Sequence, residues 1–595
     1  MHDLLIKGAT VVDGTGTEPF TADVAVKDGR IAEIGKLSGH AAKTINADGA
    51  HLLPGFVDIH THYDGQATWD ENFAPSIYHG VTTLVMGNCG VGFAPVRPGD
   101  QSRLIDLMEG VEEIPESALM EGMRWGWESF TEYGRFLDAM PHSLDFMTLV
   151  PHDALRMYVM GDRAIAGEQA TDVDLDRMTA LLRTALVDGA CGLGMGSTET
   201  HRTAKGRMTP TYQVSSRELN TLATAFHGLP YRVLQTIDDF SATRGDPREE
   251  KSRFDREYAK IEEMARVAGR PVSISWMDRM FAPQQSGWLG DAALESAKRG
   301  VDVRLQCAPR GIGTLFGLDT TMNLLLAYPS YSAIAHLPAA ERAQRLRDPA
   351  LRARVLSEQP VLLAVEGSPL PPVVDFVVKN FDEYSMDMFP CLPGAGGIDY
   401  EPPRSSSIGA LAKARSVSPL AVMYDFLAEG DGGNLIYYPA YNYTTGDLSK
   451  VYDMLNHPQA LYSLADGGAH VGTICDASST TTMIAHWAMQ RTRGPRIPLP
   501  QVVEMLTRRN AHHMGLTDRG VIGVGMKADL NLVDLKRLSL PMPRVVRDLP
   551  AGGRRLIQKA EGYLATFVSG QAVTENGEIT AARPGRWTHG PGAAC

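Results

Sequence analysis

Three short stretches of this chain carry side chains that can hold a metal ion and move a proton. The first is Leu53-Pro-Gly-Phe-Val-Asp-Ile-His-Thr-His-Tyr-Asp64, an apolar strand ending in His60-x-His62. Residues i and i+2 of a strand point to the same side, so two imidazoles can converge on one ion. The second is Gly80-Val-Thr-Thr-Leu-Val-Met-Gly-Asn-Cys-Gly90, in which Cys89 ends a strand between Asn and Gly. A thiolate is a good zinc ligand, and the metal itself lowers the thiol pKa. A buried cysteine is otherwise a small core hydrophobe. The third is Ser463-Leu-Ala-Asp-Gly-Gly-Ala-His470, where Asp466 ends an apolar stretch and the glycines allow close backbone approach. A carboxylate there can touch a metal and exchange a proton with water; the plainer reading is a turn aspartate.

For these residues to meet, strand ends distant in sequence must gather at one place. The middle of the chain alternates apolar strands with helix-period segments, the pattern of a parallel α/β fold. Eight strands are predicted: Gly55–His60, Val81–Gly87, Asp145–Val150, Cys191–Gly196, Tyr231–Thr236, Pro271–Trp276, Val301–Cys307 and Ala460–Asp466. That number predicts a (β/α)8 TIM-type barrel, whose active sites lie at the carboxyl ends of the strands; a doubly wound sheet is the rival. Thr171–Gly189 reads as a helix with Thr171 as cap and Gly189 as stop, and Ser215-x-x-Glu218 as a capping box. About fifty residues separate strands two and three, and about a hundred and fifty separate seven and eight. Connections that long are functional lids or extra elements, and Pro369–Pro372 and Pro390–Gly397 read as irregular coverings. Both ends of the chain are strand-like, with Asp28-Gly29 as a hairpin turn. The expected layout is residues 53–515 as the barrel, with 1–52 and 516–595 joining into a small β-sandwich domain.

The composition fits a globular protein. The 595 residues include 57 Lys plus Arg against 70 Asp plus Glu, a net charge of −13, with 44% hydrophobic and 21% charged residues. A phosphate backbone selects for a basic face, so nucleic acid is not an expected partner. An anionic membrane surface is disfavoured for the same reason. No apolar run is long enough to span a bilayer, and the N-terminus does not read as a signal peptide. The six cysteines, Cys89, Cys191, Cys307, Cys391, Cys475 and Cys595, form no C-x-x-C pair. The expectation is a reducing, cytoplasmic location without a disulfide framework.

The chain resembles the amidohydrolase superfamily, and within it the N-acyl-D-amino-acid deacylases (D-aminoacylases), over nearly its whole length. The likeness rests on the opening I-K-G-A-T-V-V-D-G and D-G-R-I-A-E-I-G, on P-G-F-V-D-I-H-T-H-Y-D, and on G-V-T-T-L-V-M-G-N-C-G. It also rests on Asp466 in A-D-G-G-A-H and on the closing D-R-G-V-I-G-V-G-M-K-A-D-L-N-L-V-D. The G-N-C-G element is the specific one: most of the superfamily bridges two metals with a carboxylated lysine on strand four, whereas the D-aminoacylases use a cysteine after strand two. Here strand four is Cys191-Gly-Leu-Gly-Met-Gly196, without a lysine. Val150-Pro-His152-x-x-x-Arg156 looks like that family's G-H-x-x-x-R element and Tyr158-Val-Met-Gly161 like its V-M-G, so His152 is a candidate substrate contact.

The resemblance implies His60, His62, Cys89 and Asp466 around one metal, with Asp466 as the catalytic proton carrier. It departs at the second metal, where Gln235 and Trp276 stand at the places of histidines and Asp278 replaces a lysine. One tightly held zinc is therefore expected. A mixed N/S/O ligand set suits zinc, although other divalent ions compete. Arg310, after strand seven, and Arg202, after strand four, read as forks for a substrate carboxylate or as partners of structural acids. His201 and His470 sit beside the same loops, Trp276 reads as core or pocket wall, and Asp64 reads as an outer partner orienting His60 or His62. The function expected is metal-dependent hydrolysis of a linear amide, of an N-acyl amino acid or a related small molecule. The alternatives are hydrolysis of a cyclic amide, peptide or carbamate, and a non-catalytic barrel that binds a ligand. Assembly into a homo-oligomer is left open.

Overall fold

The computed structural model describes residues 1–240, 247–365, 368, 370, 372–394 and 397–592. Cys595 and parts of the two proline-rich coverings, including Pro369 and Pro371, lie outside the described residues. Eight parallel strands form where they are predicted: Phe56–Asp58, Val81–Met86, Asp145–Pro151, Gly192–Ser197, Val233–Asp238, Val272–Trp276, Val303–Cys307 and Ala460–Tyr462. They pair in chain order as one sheet, without the reversal of order that defines a doubly wound sheet. Strands two and three are buried at every residue, which is why they read as unbroken apolar runs rather than alternating ones.

The turns that follow the two edge strands of this sheet meet. Asp466 N–H donates to His60 O at 3.1 Å and His62 N–H to Gly467 O at 2.8 Å. The Asn510 side-chain amide donates both to Val57 O at 2.8 Å and to Tyr462 O at 2.9 Å. These bonds bring the His60-x-His62 turn and the Asp466 turn side by side.

The helix expected at Thr171–Gly189 spans Asp172–Asp188. Thr171 and Asp174 form a reciprocal capping box, and Gly189 ends it at φ 136°. At Ser215 only half of the expected box forms. Ser215 accepts the Glu218 N–H, but the Glu218 carboxylate turns inward to Arg156 Nε at 2.7 Å and His152 Nε2 at 2.9 Å. A buried guanidinium outcompetes a backbone N–H for that carboxylate.

Strands from both ends of the chain share one nine-stranded sheet, in which Leu530–Val533 pairs with His51–Pro54. The Phe20–Lys27 and Arg30–Gly35 strands form a hairpin, with Asp28 and Gly29 at φ 51° and 73° as a two-residue turn requires. This sheet has its own apolar core, with Ile6, Val24 and Leu52 from one end meeting Leu530, Leu532 and Phe567 from the other.

The long connection between strands seven and eight folds into an insertion. A three-stranded sheet of Ile312–Gly317, Leu435–Tyr441 and Phe389–Pro390 packs with helices around a separate core that includes Leu325, Tyr331, Val355 and Ile436. The five described cysteines are free and buried. No helix among the described residues is long and apolar enough to cross a membrane.

Candidate metal centre

His60, His62 and Cys89 converge at the carboxyl ends of strands one and two. Among the described residues they are the group of three whose ligand atoms all lie within 4.8 Å of one another. His60 Nε2 is 3.3 Å from Cys89 Sγ and 3.3 Å from Asp466 Oδ1, and His62 Nε2 is 3.9 Å from the same oxygen. Asp466 thus joins the cluster from the turn after strand eight. All four residues line a cavity of about 1800 Å³.

Backbone strain marks the same place. Cys89, Leu464, Asp466 and His470 have φ of 56°, 60°, 47° and 45°, a region that side-chain-bearing residues rarely adopt and that concentrates at functional sites. The glycines of strand four make room for the Cys89 turn. A Cβ on Gly194 would stand 1.9 Å from Gly87 O, and one on Gly196 would stand 2.4 Å from Cys89 O.

Each imidazole meets another side chain through its second nitrogen. His60 Nδ1 lies 2.6 Å from Gln306 Oε1, and His62 Nδ1 lies 3.2 Å from Glu112 Oε1. Neither Gln306 nor Glu112 was anticipated from sequence. Glu112 ends the helix Gln101–Glu112 in the unassigned stretch between strands two and three. One clue was available there: a Glu-Glu pair at a helix C-terminus, where the helix dipole disfavours carboxylates. Glu112 is 1% exposed, and among the described residues neither of its oxygens has a hydrogen-bond partner.

Burial dominates the electrostatics. It raises the Asp466 carboxyl to about 7 and that of Asp64 to about 7, and lifts Glu112 well above the usual range. It lowers His60 to about 4, so the imidazole is neutral and its Nε2 lone pair is free to bind. Burial, with the charges of Glu112 and Asp466, raises the Cys89 thiol. The ion partners of Glu112 and Asp466 are histidines. Buried carboxylates and a thiol without a compensating side-chain cation among the described residues fit a bound metal, which would deprotonate the thiol and offset the acids.

The remaining expected residues are distributed differently. His201 and His470 line the cavity, and His470 Nε2 is 3.6 Å from Glu112 Oε2. Gln235 accepts the Cys89 N–H at 2.8 Å and so holds the cysteine turn. Asp64 accepts the Gly87 N–H at 3.2 Å, fixing that turn rather than an imidazole. Trp276 donates to Ser286 O at 2.9 Å and packs against His457, because strand alternation sends Ser275 to the cavity and Trp276 outward. Arg310 is bound to Asp476 at 2.9 Å and lies over the Tyr400 ring. Arg202 closes its own turn on Gly206 O at 3.2 Å, and His152 is held by Glu218. The structure therefore brings His60, His62, Cys89, Asp466, His201 and His470 to one cavity, and places His152, Arg202, Trp276 and Arg310 outside its wall.

The profile of the amidohydrolase family matches residues 43–359 and 375–574. A D-aminoacylase of Alcaligenes xylosoxydans xylosoxydans is 36% identical over 196 residues, 33% of this chain and 38% of that protein. An N-acyl-D-aspartate deacylase of the same organism is 36% identical over 197 residues, 33% of this chain and 36% of that protein. The matched segments thus span little more than a third of these curated relatives. The solved N-acyl-D-glutamate deacylase of Bordetella bronchiseptica, complexed with zinc and a phosphonate inhibitor, shares the fold. Its TM-score is 0.62 at 20% identity, over 99% of both chains.

Proposed function

Because the chain belongs to the amidohydrolase family, we propose that it is a metal-dependent hydrolase of a linear amide, acting on N-acyl amino acids. The observation that carries this reading is the convergence of His60, His62, Cys89 and Asp466 on one strained, cavity-lining cluster. His60 Nε2, His62 Nε2, Cys89 Sγ and an Asp466 oxygen would hold the ion, and zinc suits this ligand set. We read one tightly held ion, since Gln235 spends its carbonyl oxygen on the Cys89 backbone and Trp276 faces away from the cluster. When bound, the metal activates water and polarises the amide carbonyl. Gln306 holds His60 in the tautomer that leaves Nε2 free, and Glu112, 3.2 Å from His62 Nδ1, would do the same for His62 once that ring binds the metal. Asp466, a carboxyl with a pKa raised to about 7 by burial, takes a proton from the attacking water and passes it to the leaving nitrogen.

The architecture is read as a (β/α)8 barrel of residues 53–515 with a β domain assembled from 1–52 and 516–595, in a cytoplasmic setting. The bonds between the turns that follow the first and eighth strands, and the shared terminal sheet, support that layout. The test is metal analysis followed by a screen of N-acyl-D- and N-acyl-L-amino acids. Chelation is expected to abolish hydrolysis, and one equivalent of zinc to restore it. Asp466→Asn is expected to lower kcat by about 10²–10⁴. Full activity of that variant, or turnover in the chelated protein, would overturn the mechanism.

A further inference from the structure

A cavity of about 1800 Å³ is far larger than an N-acetyl amino acid needs, since ordinary small-molecule sites run to roughly 300–1,000 Å³. The metal cluster forms one part of its wall. Much of the rest comes from the insertion between strands seven and eight, through apolar side chains such as Phe316, Leu326, Leu363, Val374 and Phe376. Leu326 and Leu363 lie at the margin of the insertion's own core and are only partly buried, so they face the cavity rather than complete that core. Val373, which lines the cavity, is 45% exposed, and Val361, Leu362 and Val365, close in sequence to the cavity-lining Leu363, are 48%, 52% and 56% exposed. Exposed aliphatic side chains of this kind suit a surface that meets an apolar ligand.

We propose that this wall binds a long unbranched acyl chain, so that the substrates are N-acyl amino acids with fatty acyl groups. The inference rests on the amide-hydrolase reading above and names its substrate class. The amino-acid half carries a carboxylate, which loses hydration against an apolar wall and gains nothing in return. An acyl chain can extend along that wall without burying charge. Thr444, Thr445 and Lys450 line a polar stretch of the same cavity, where Lys450 is paired with the buried Asp278 at 2.8 Å. Met277, Met280 and Met322 also line it, and flexible thioethers adapt to chains of different length. In the reaction, water adds its oxygen to the acyl carbon, the C–N bond breaks and the nitrogen takes a proton. The products are a fatty carboxylate and a free amino acid.

The experiment measures kcat/KM of the zinc-loaded enzyme for acetyl, octanoyl, dodecanoyl and palmitoyl derivatives of one amino acid, below micelle-forming concentrations. Each buried methylene is expected to raise kcat/KM by about fourfold until the wall is filled. A parallel arm keeps the acetyl group and enlarges the apolar amino-acid side chain. Val373→Asp, which puts a charge on an exposed part of the wall, is expected to cut the palmitoyl-to-acetyl ratio at least about tenfold. Turnover that is flat in acyl length, that follows the amino-acid side chain instead, or that keeps its ratio in Val373→Asp overturns the acyl-chain proposal and leaves the hydrolase reading standing. No turnover of any derivative overturns both.

Discussion

Glu112 places a carboxylate 3.2 Å from His62 Nδ1 at the end of a helix whose dipole disfavours it. Its cost makes sense once His62 Nε2 is engaged by a cation, because Nδ1–H is then the atom that Glu112 can hold. Metal-ligating histidines are commonly fixed through their second nitrogen in this way, and losing the partner costs about 10–100-fold in metal affinity or activity. Glu112→Gln is accordingly expected to weaken zinc binding by that factor in a metal titration. Wild-type affinity in that variant would remove Glu112 from the orienting role. His60 and His62 were legible in sequence because their spacing is local. Glu112 and Gln306 were not, since each acts across the fold, 50 and 246 residues from its histidine.

At the scale of elements, strand four shows how an absence in sequence becomes a contact in space. Its Gly192-Leu-Gly-Met-Gly196 run carries no lysine. The structure supplies the physical counterpart: the backbone at Gly87 and Cys89 occupies the space that side chains at Gly194 and Gly196 would need. Gly196→Ala is therefore expected to displace the Cys89 turn and lower zinc occupancy, measured by metal content of the purified protein. Full occupancy would show that the turn can yield. A second element-level joint holds the insertion. Glu401 accepts from Arg491 at 3.1 Å, from His486 at 3.0 Å and from Leu448 N–H at 2.9 Å. Burial opposes ionisation there, yet these hydrogen bonds prevail and lower the carboxyl from 4.5 to about 2. A depressed carboxyl stabilises the fold above its unfolded value and loses that contribution as pH falls through the folded one. Acid unfolding between about pH 4.5 and 2 is expected to be shallower in Glu401→Gln, followed by circular dichroism. An unchanged acid limb would count against this joint.

Across the whole molecule, the ends of the chain and the parallel sheet are tied by charge. Asp145, at the start of strand three, meets Arg519 and Lys527 at 2.6 Å each, and Lys527 also meets Asp529 at 2.9 Å. Asp145, Arg519 and Asp529 are buried. Removing one partner leaves an uncompensated buried charge, a loss of about 3–5 kcal/mol. Arg519→Met should lower the thermal unfolding temperature markedly. A wild-type melting curve would mean that the terminal segments pack independently of this network. The large insertion fits the same picture of attached parts, with its own apolar core and one face turned to the cavity.

Local pattern alone determined the positions of the eight strands, the helix capped by Thr171 and the Asp28-Gly29 hairpin. Each depends on periodicity or turn chemistry within a few residues. It also marked His60, His62, Cys89 and Asp466, because each ends an apolar strand. Only the tertiary structure decided which neighbours those residues meet. Gln306 and Glu112 became neighbours of the imidazoles, while Arg310 and His152, whose sequence settings suggested substrate contact, were drawn into an ion pair with Asp476 and a hydrogen bond with Glu218. The physical reason is that a buried charge takes whatever partner packing brings within reach, and packing joins residues hundreds of positions apart. No local pattern records that choice.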